Sequence, residues 1–157
     1  MVAVNEKVCL INSCSGGKTS SYMHLKCPAD YSIFAFVESN SEENQIKDPG
    51  LLQFAQQKLK REVLGSMELE LTLKAIADLE QYSGREITWV SAGFSYEELA
   101  LGQVDIPNRR NPMLPNARLR FCTQYLKVFP IFEWCYPIFA HSLIWTYITI
   151  MFTASVK

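Results

Sequence analysis

The sequence predicts an α/β domain, a parallel sheet with helices flanking it. Three observations carry that expectation. Apolar runs rich in β-branched and aromatic residues at 8–11, 31–37 and 87–90 have the composition and length of strands. The stretches between them repeat apolar residues at helical spacing. The first run ends in small polar residues with two adjacent glycines, and helix-forming residues follow at once. A strand, a tight loop, a helix and a second strand in that order form a βαβ unit, because parallel strands need a crossover.

The first joint reads Asn12-Ser13-Cys14-Ser15-Gly16-Gly17-Lys18-Thr19-Ser20, with a helix expected over residues 19–25. Such a joint gathers backbone N–H groups and the positive end of a helix dipole around one point. Glycines let the backbone approach a bulky anion. Ser13, Ser15, Thr19 and Ser20 add hydroxyls, and Lys18 adds a point charge suited to phosphate. A Walker A loop, G-x-x-x-x-G-K-[ST], fits Gly17-Lys18-Thr19 but requires glycine where Asn12 stands. The pattern S-G-G-x-x-S fits residues 15–20 at every fixed position. The plainer alternative is a Gly-Gly turn capped by serines.

Residues 31–37 form the second expected strand, and residues 38–47, polar and aperiodic, a loop at its carboxyl end. Ligands of open α/β sheets lie outside those strand ends, so this loop should face the same crevice as residues 15–20. Asp48-Pro49 is a helix start, with Asp as N-cap and Pro in the first turn, followed by a stripe of Leu51, Leu52, Phe54, Ala55 and Leu59. A helix is expected over residues 66–79, with Met67, Leu71, Ala75 and Leu79 on one face and a Glu70–Lys74 surface pair. Residues 87–90 supply the third strand. Ser95 and Glu98 have capping-box spacing. Residues 102–117, with Pro107, Pro112 and Pro115, read as an irregular loop, and loops of that length in a small domain are usually functional. In and after it stand Arg109, Arg110, Arg118, Arg120 and Lys127, against a single acid, Asp105. That concentration favours a phosphate or sulfate partner over solvation alone.

The 157 residues are of one-domain length, and 48% hydrophobic with 20% charged is a globular composition. A net charge of −1 gives no electrostatic case for nucleic acid. Five cysteines without a C-x-x-C pair, and no secretion signal, argue for reduced thiols and a cytoplasmic location.

The segment Arg120-Phe121-Cys122-Thr123-Gln124-Tyr125-Leu126-Lys127-Val128-Phe129-Pro130 resembles the R-x-C-T-x-x-L-K-x-x-P block of the phosphoadenosine phosphosulfate (PAPS) reductase-like family, including its phage-borne and bacterial members. That family belongs to the adenine nucleotide alpha-hydrolase, or PP-loop ATP pyrophosphatase, superfamily, whose pyrophosphate loop is S-G-G-x-x-S. Two blocks about a hundred residues apart in the expected order are more specific than either alone. The resemblance implies a Rossmann-like parallel sheet with ATP or PAPS at the carboxyl ends of its strands. Ser15, Gly16, Gly17, Lys18, Thr19 and Ser20 would surround phosphate, and Arg120 and Lys127 would reach a second anion such as sulfate or a 3′-phosphate. The implied activity is sulfonucleotide reduction, with a protein thiol donor, or nucleotidyl transfer with release of pyrophosphate.

Several positions depart from the family. Pyrophosphatase relatives commonly carry Asp where Thr19 stands, which removes a magnesium ligand and weakens the case for Mg2+. The E-C-G-L-H motif of true reductases is absent, and Cys122 with Cys135 cannot supply the four thiolates of an iron–sulfur cluster. Cys122 is the one candidate catalytic residue: Arg120 and Lys127 nearby would lower a thiol pKa, against the alternative of a small packed side chain. No metal site is expected, and neither acceptor nor oligomeric state is legible. A non-catalytic nucleotide-binding remnant is the second reading. Residues 1–135 would form the nucleotide-binding domain, and residues 136–157 an apolar tail. From Trp134 to Val156 there is no Asp, Glu, Lys or Arg, a membrane-span length that Pro137 and His141 interrupt. A shifted reading frame, a packed native terminus and a membrane anchor are the three readings of that tail, the anchor being the weakest.

Overall fold

The computed structural model describes residues 9–27, 29–106, 112 and 120–140. A parallel three-stranded sheet lies at its centre, in the order β1 (Ile11–Cys14), β2 (Tyr31–Ala35), β5 (Thr88–Val90). Ile11 pairs with Tyr31, Cys14 with Phe34 and Ala35 with Val90, so the three carboxyl ends lie along one edge. α1 (Lys18–Lys26) is the crossover from β1 to β2. The chain is therefore an α/β fold with flanking helices, as its strand-and-helix alternation predicts.

The first strand lies further along than the expected residues 8–11. Pairing with β2 carries it through Asn12 and Ser13 to Cys14, so Ser13 is a strand residue opposite Ile33 and the loop proper is residues 15–17. Small polar residues are tolerated in a strand once its backbone is paired.

Two cores form on the two faces of the sheet. On one, Phe34, Phe36 and Trp89 pack with Leu51 and Ala55 of α2 (Pro49–Leu59) and with Leu73, Ile76 and Leu79 of α3 (Glu70–Ser83). α2 starts as expected, the Asp48 carboxylate accepting from the N–H groups of Gly50 and Leu51 at 2.8 and 3.2 Å. On the other face Ile33, Ala35 and Val90 pack with Ile131, Trp134 and Cys135 of α6 (Phe129–Ala140). The Trp134 ring meets Tyr31 edge-on, 5.2 Å between centroids.

The expected helix over residues 66–79 is corrected at its start and its face. Gly65–Ser66 is a strand, β4, pairing antiparallel with β3 (Glu38–Ser39), and the Met67 N–H donates to the Val37 carbonyl at 2.9 Å. With those groups committed to the sheet side, α3 begins at Glu70. Its buried face is Leu73, Ile76, Ala77 and Leu79, while Met67 and Leu71 are exposed. The Glu70 carboxylate accepts from the backbone N–H groups of Lys47 and Asp48. Residues 38–47 are likewise more than a loop: β3, a 3-10 turn at Glu42–Asn44 and a Gln45–Gly65 bridge order them, and Ile46 enters the core.

Pro130 does not end the last helix. α5 (Phe121–Thr123) runs into a π turn, Gln124–Val128, and then into α6. The Phe129 N–H reaches the carbonyl of Gln124, five residues back. The widened turn precedes a proline that offers no N–H and whose ring would crowd the carbonyl four residues earlier in an α-helix. α6 continues past the expected boundary at 135 to Ala140. Among the described residues no helix is long and apolar enough to cross a membrane, and 141–157, where most of the tail lies, fall outside them.

Candidate functional site

The joint between β1 and α1 is held by Ser20. Its buried hydroxyl accepts from the Ser15 N–H at 3.1 Å and donates to the Gly17 carbonyl at 3.0 Å, so it braces the loop from within. Gly16 takes φ +74°, a left-handed conformation that side chains disfavour. Gly17 is the N-cap of α1 and supplies no side-chain hydrogen bond, and the first turn holds no acid. The first N–H groups of α1 therefore have no capping side chain, and Ser15, Lys18 and Thr19 beside them are exposed. Hydroxyls, N–H groups and an ammonium suit an anion; the neutral Thr19 hydroxyl gives the loop no carboxylate for a cation.

The second block reaches the same edge of the sheet. A cavity of about 190 Å³ is lined by Val37, just beyond β2, by Tyr96 of α4 (Tyr96–Ala100), by Glu68, and by Cys122, Leu126 and Lys127. The Lys127 ammonium is ion-paired with the Glu68 carboxylate, both side chains partly exposed. Cys122 is half-buried on the cavity wall. Arg120 stands exposed just before α5, in a non-helical conformation. The seven-residue spacing from Arg120 to Lys127 therefore does not make two α-turns, because Arg120 is non-helical and a π turn intervenes. Arg109, Arg110 and Arg118 lie outside the described residues.

One short segment touches both blocks. Thr72, in the first turn of α3, covers Gly16, and Glu68, four residues earlier, holds Lys127. The loop at β1 and the helix that follows Arg120 are thus tied to a common stretch of chain beside the strand ends.

Beyond β2 and β5 lies a polar network that no spacing in the sequence marks. Buried Ser39 donates to Glu97 Oε1 at 2.6 Å, the Asn40 N–H donates to Glu97 Oε2 at 2.9 Å, and Asn40 Nδ2 donates to buried Ser95 at 3.0 Å. Burial works to raise the Glu97 pKa, but the hydrogen bonds from Ser39 and Asn40 prevail and hold it below the ordinary value. Glu38 accepts from Ser91 and pairs with Arg61 at 3.2 Å. The available signal was position: the serines and acids of residues 38–41 and 91–97 directly follow two strands. The expected capping box is present, Glu98 N–H donating to the Ser95 hydroxyl and Ser95 N–H to the Glu98 carboxylate.

Among the described residues no three His, Cys, Asp or Glu side chains gather as metal ligands. Cys14 and Cys135 are buried, and desolvation pushes each thiol up to about 11. No family model, no curated protein and no solved structure matches this chain.

Proposed function

We propose that the chain is an adenine-nucleotide-binding domain of the PAPS reductase-like kind, taking ATP or PAPS at the carboxyl edge of its sheet. The observation that supports this most directly is the loop: residues 15–17 follow a parallel strand, Gly16 has a positive φ, and α1 presents an uncapped N-terminus flanked by Lys18. Phosphate oxygens would accept from the first N–H groups of α1 and from the Ser15 and Thr19 hydroxyls. Lys18 would neutralise the outer phosphates. In nucleotidyl transfer the same donors would stabilise a departing pyrophosphate, because they are fixed before charge develops. Lys127, at the cavity, would meet a second anionic group.

A second reading, binding without catalysis, is favoured by Thr19 in place of a carboxylate. Calorimetric titration with ATP, AMP and PAPS tests binding, and Gly17→Val tests the loop. The wild type should bind and Gly17→Val should not, since a side chain would occupy the anion's space. Lys18→Ala should weaken ATP more than AMP. Equal affinity in wild type and Gly17→Val would refute the site; release of pyrophosphate from ATP, or of sulfite from PAPS with a dithiol supplied as two-electron reductant, would separate catalysis from binding.

A further inference from the structure

We infer that Glu68 is a specificity-determining residue, a built-in anion that holds Lys127 until a ligand carrying a second anionic group displaces it. The inference rests on the proposed nucleotide site. It begins with the Lys127–Glu68 ion pair on the wall of the cavity beside Val37. Val37, Tyr96 and Leu126 line that cavity, and the partly exposed Lys127 ammonium at it is held by the Glu68 carboxylate. Glu68 is held in place from its own backbone, its N–H donating to the Ser66 hydroxyl at 3.0 Å, while Ser66 donates to the Val37 carbonyl. Four residues on, Thr72 rests on Gly16. A carboxylate fixed to the same stretch of chain that contacts the phosphate loop is therefore presented to the cation of the second block.

Exchange of one anion for another on Lys127 explains what the pair would do. A nucleotide with one anionic end leaves it intact and gains nothing from Lys127. A nucleotide with anionic groups at both ends must break it, and Glu68 then opposes the newcomer as a like charge. Glu68 thus lowers affinity for doubly anionic adenylates and leaves singly anionic ones alone.

Glu68→Gln keeps the shape and removes the charge. Calorimetry with AMP and adenosine 3′,5′-bisphosphate at fixed ionic strength should show the bisphosphate binding roughly three- to tenfold tighter to Glu68→Gln, with AMP unchanged. The gain should vanish in the Glu68→Gln, Lys127→Ala double variant, which separates an effect through Lys127 from a general change in charge. An unchanged or weakened bisphosphate, or a gain that survives loss of Lys127, overturns the inference. If the wild type binds neither nucleotide, the proposed function fails, and inorganic sulfate decides the inference alone. Sulfate should shield Lys127 from acetylation in Glu68→Gln and not in the wild type, read by mass spectrometry; equal labelling in both proteins with and without sulfate overturns it.

Discussion

Thr72 is packed so closely on Gly16 that a β-carbon there would lie 2.4 Å from the threonine Cγ2. The two adjacent glycines consequently have different duties. Gly16 combines that contact with φ +74°, so Gly16→Ala should lower the unfolding free energy by about 1–3 kcal/mol in urea titrations. Gly17 has φ −80°, and its β-carbon would meet nothing nearer than Ser15 Oγ at 3.6 Å. Gly17→Val should keep stability within about 1 kcal/mol of wild type while losing nucleotide. A Gly17→Val protein as unstable as Gly16→Ala would show that the second glycine also serves the fold.

The hydrogen bonds on Glu97 tie the chain after β2 to α4. Because the folded pKa is depressed below the ordinary value of 4.5, the unfolded chain binds the proton more readily. The stabilisation is complete above the unfolded pKa and is lost as pH falls through the folded one. Glu97→Gln should cost about 1–2 kcal/mol near neutral pH, because charged acceptors make the stronger bonds. Its unfolding midpoint should also depend less on pH in the acid range than that of the wild type. Parallel acid-range slopes for both proteins would remove Glu97 from that dependence.

How much of this was legible depends on the range of the interaction that fixes each element. Asp48 and the Ser95–Glu98 box cap their helices through neighbours three residues away or fewer, and the sequence pattern locates both. α3 was misplaced because its start is set by a distant partner: Val37 and Glu38 claim residues 65–67 for the sheet, and the buried face turns with the start. The same holds at the site. The loop at residues 15–17 and its Ser20 brace are local chemistry, within five residues, but the Thr72 contact, Glu68 on Lys127 and Ser39 on Glu97 join residues that spacing does not relate. The π turn before Pro130 was not legible either, since a proline in an apolar stretch reads first as a stop.

Thiol reactivity should sort the cysteines by burial. With Cys14 and Cys135 at about 11, roughly one molecule in a thousand carries either as thiolate at pH 8. Native protein treated with an aromatic disulfide reagent should therefore modify these two only at the rate of unfolding. Cys122, half-buried on an open cavity, should react earlier, and Cys122→Ser should delete a fast phase. Prompt modification of Cys14 in the native state would contradict its burial.

His24 offers the last test, because α1 begins at the proposed phosphate loop and carries this histidine near its other end. The ring is buried, with Nδ1 2.8 Å from the Ser32 hydroxyl of β2 and Nε2 2.8 Å from the Ser83 hydroxyl at the end of α3. A neutral imidazole satisfies both contacts as one donor and one acceptor; an imidazolium has two donors and leaves one hydroxyl to reorganise. Desolvation lowers the His24 pKa first and the Arg85 charge lowers it further, with Glu80 opposing. The folded state thus binds the proton less readily than the unfolded chain, whose value is 6.5. Stability should be complete above that value and fall as pH drops below it, until the folded pKa is reached. His24→Gln should be less stable than wild type at pH 8, having lost the ring's fit between two hydroxyls, and should show a flatter melting temperature below neutral pH. Hydrogen exchange locates the effect: on acidification, amides of α1 should lose protection before those of α2, because the ring's two hydrogen bonds tie α1 to β2 and α3. Equal loss in both helices, or a wild-type melting temperature that does not change from pH 8 to the acid side of His24, would remove the histidine from control of α1.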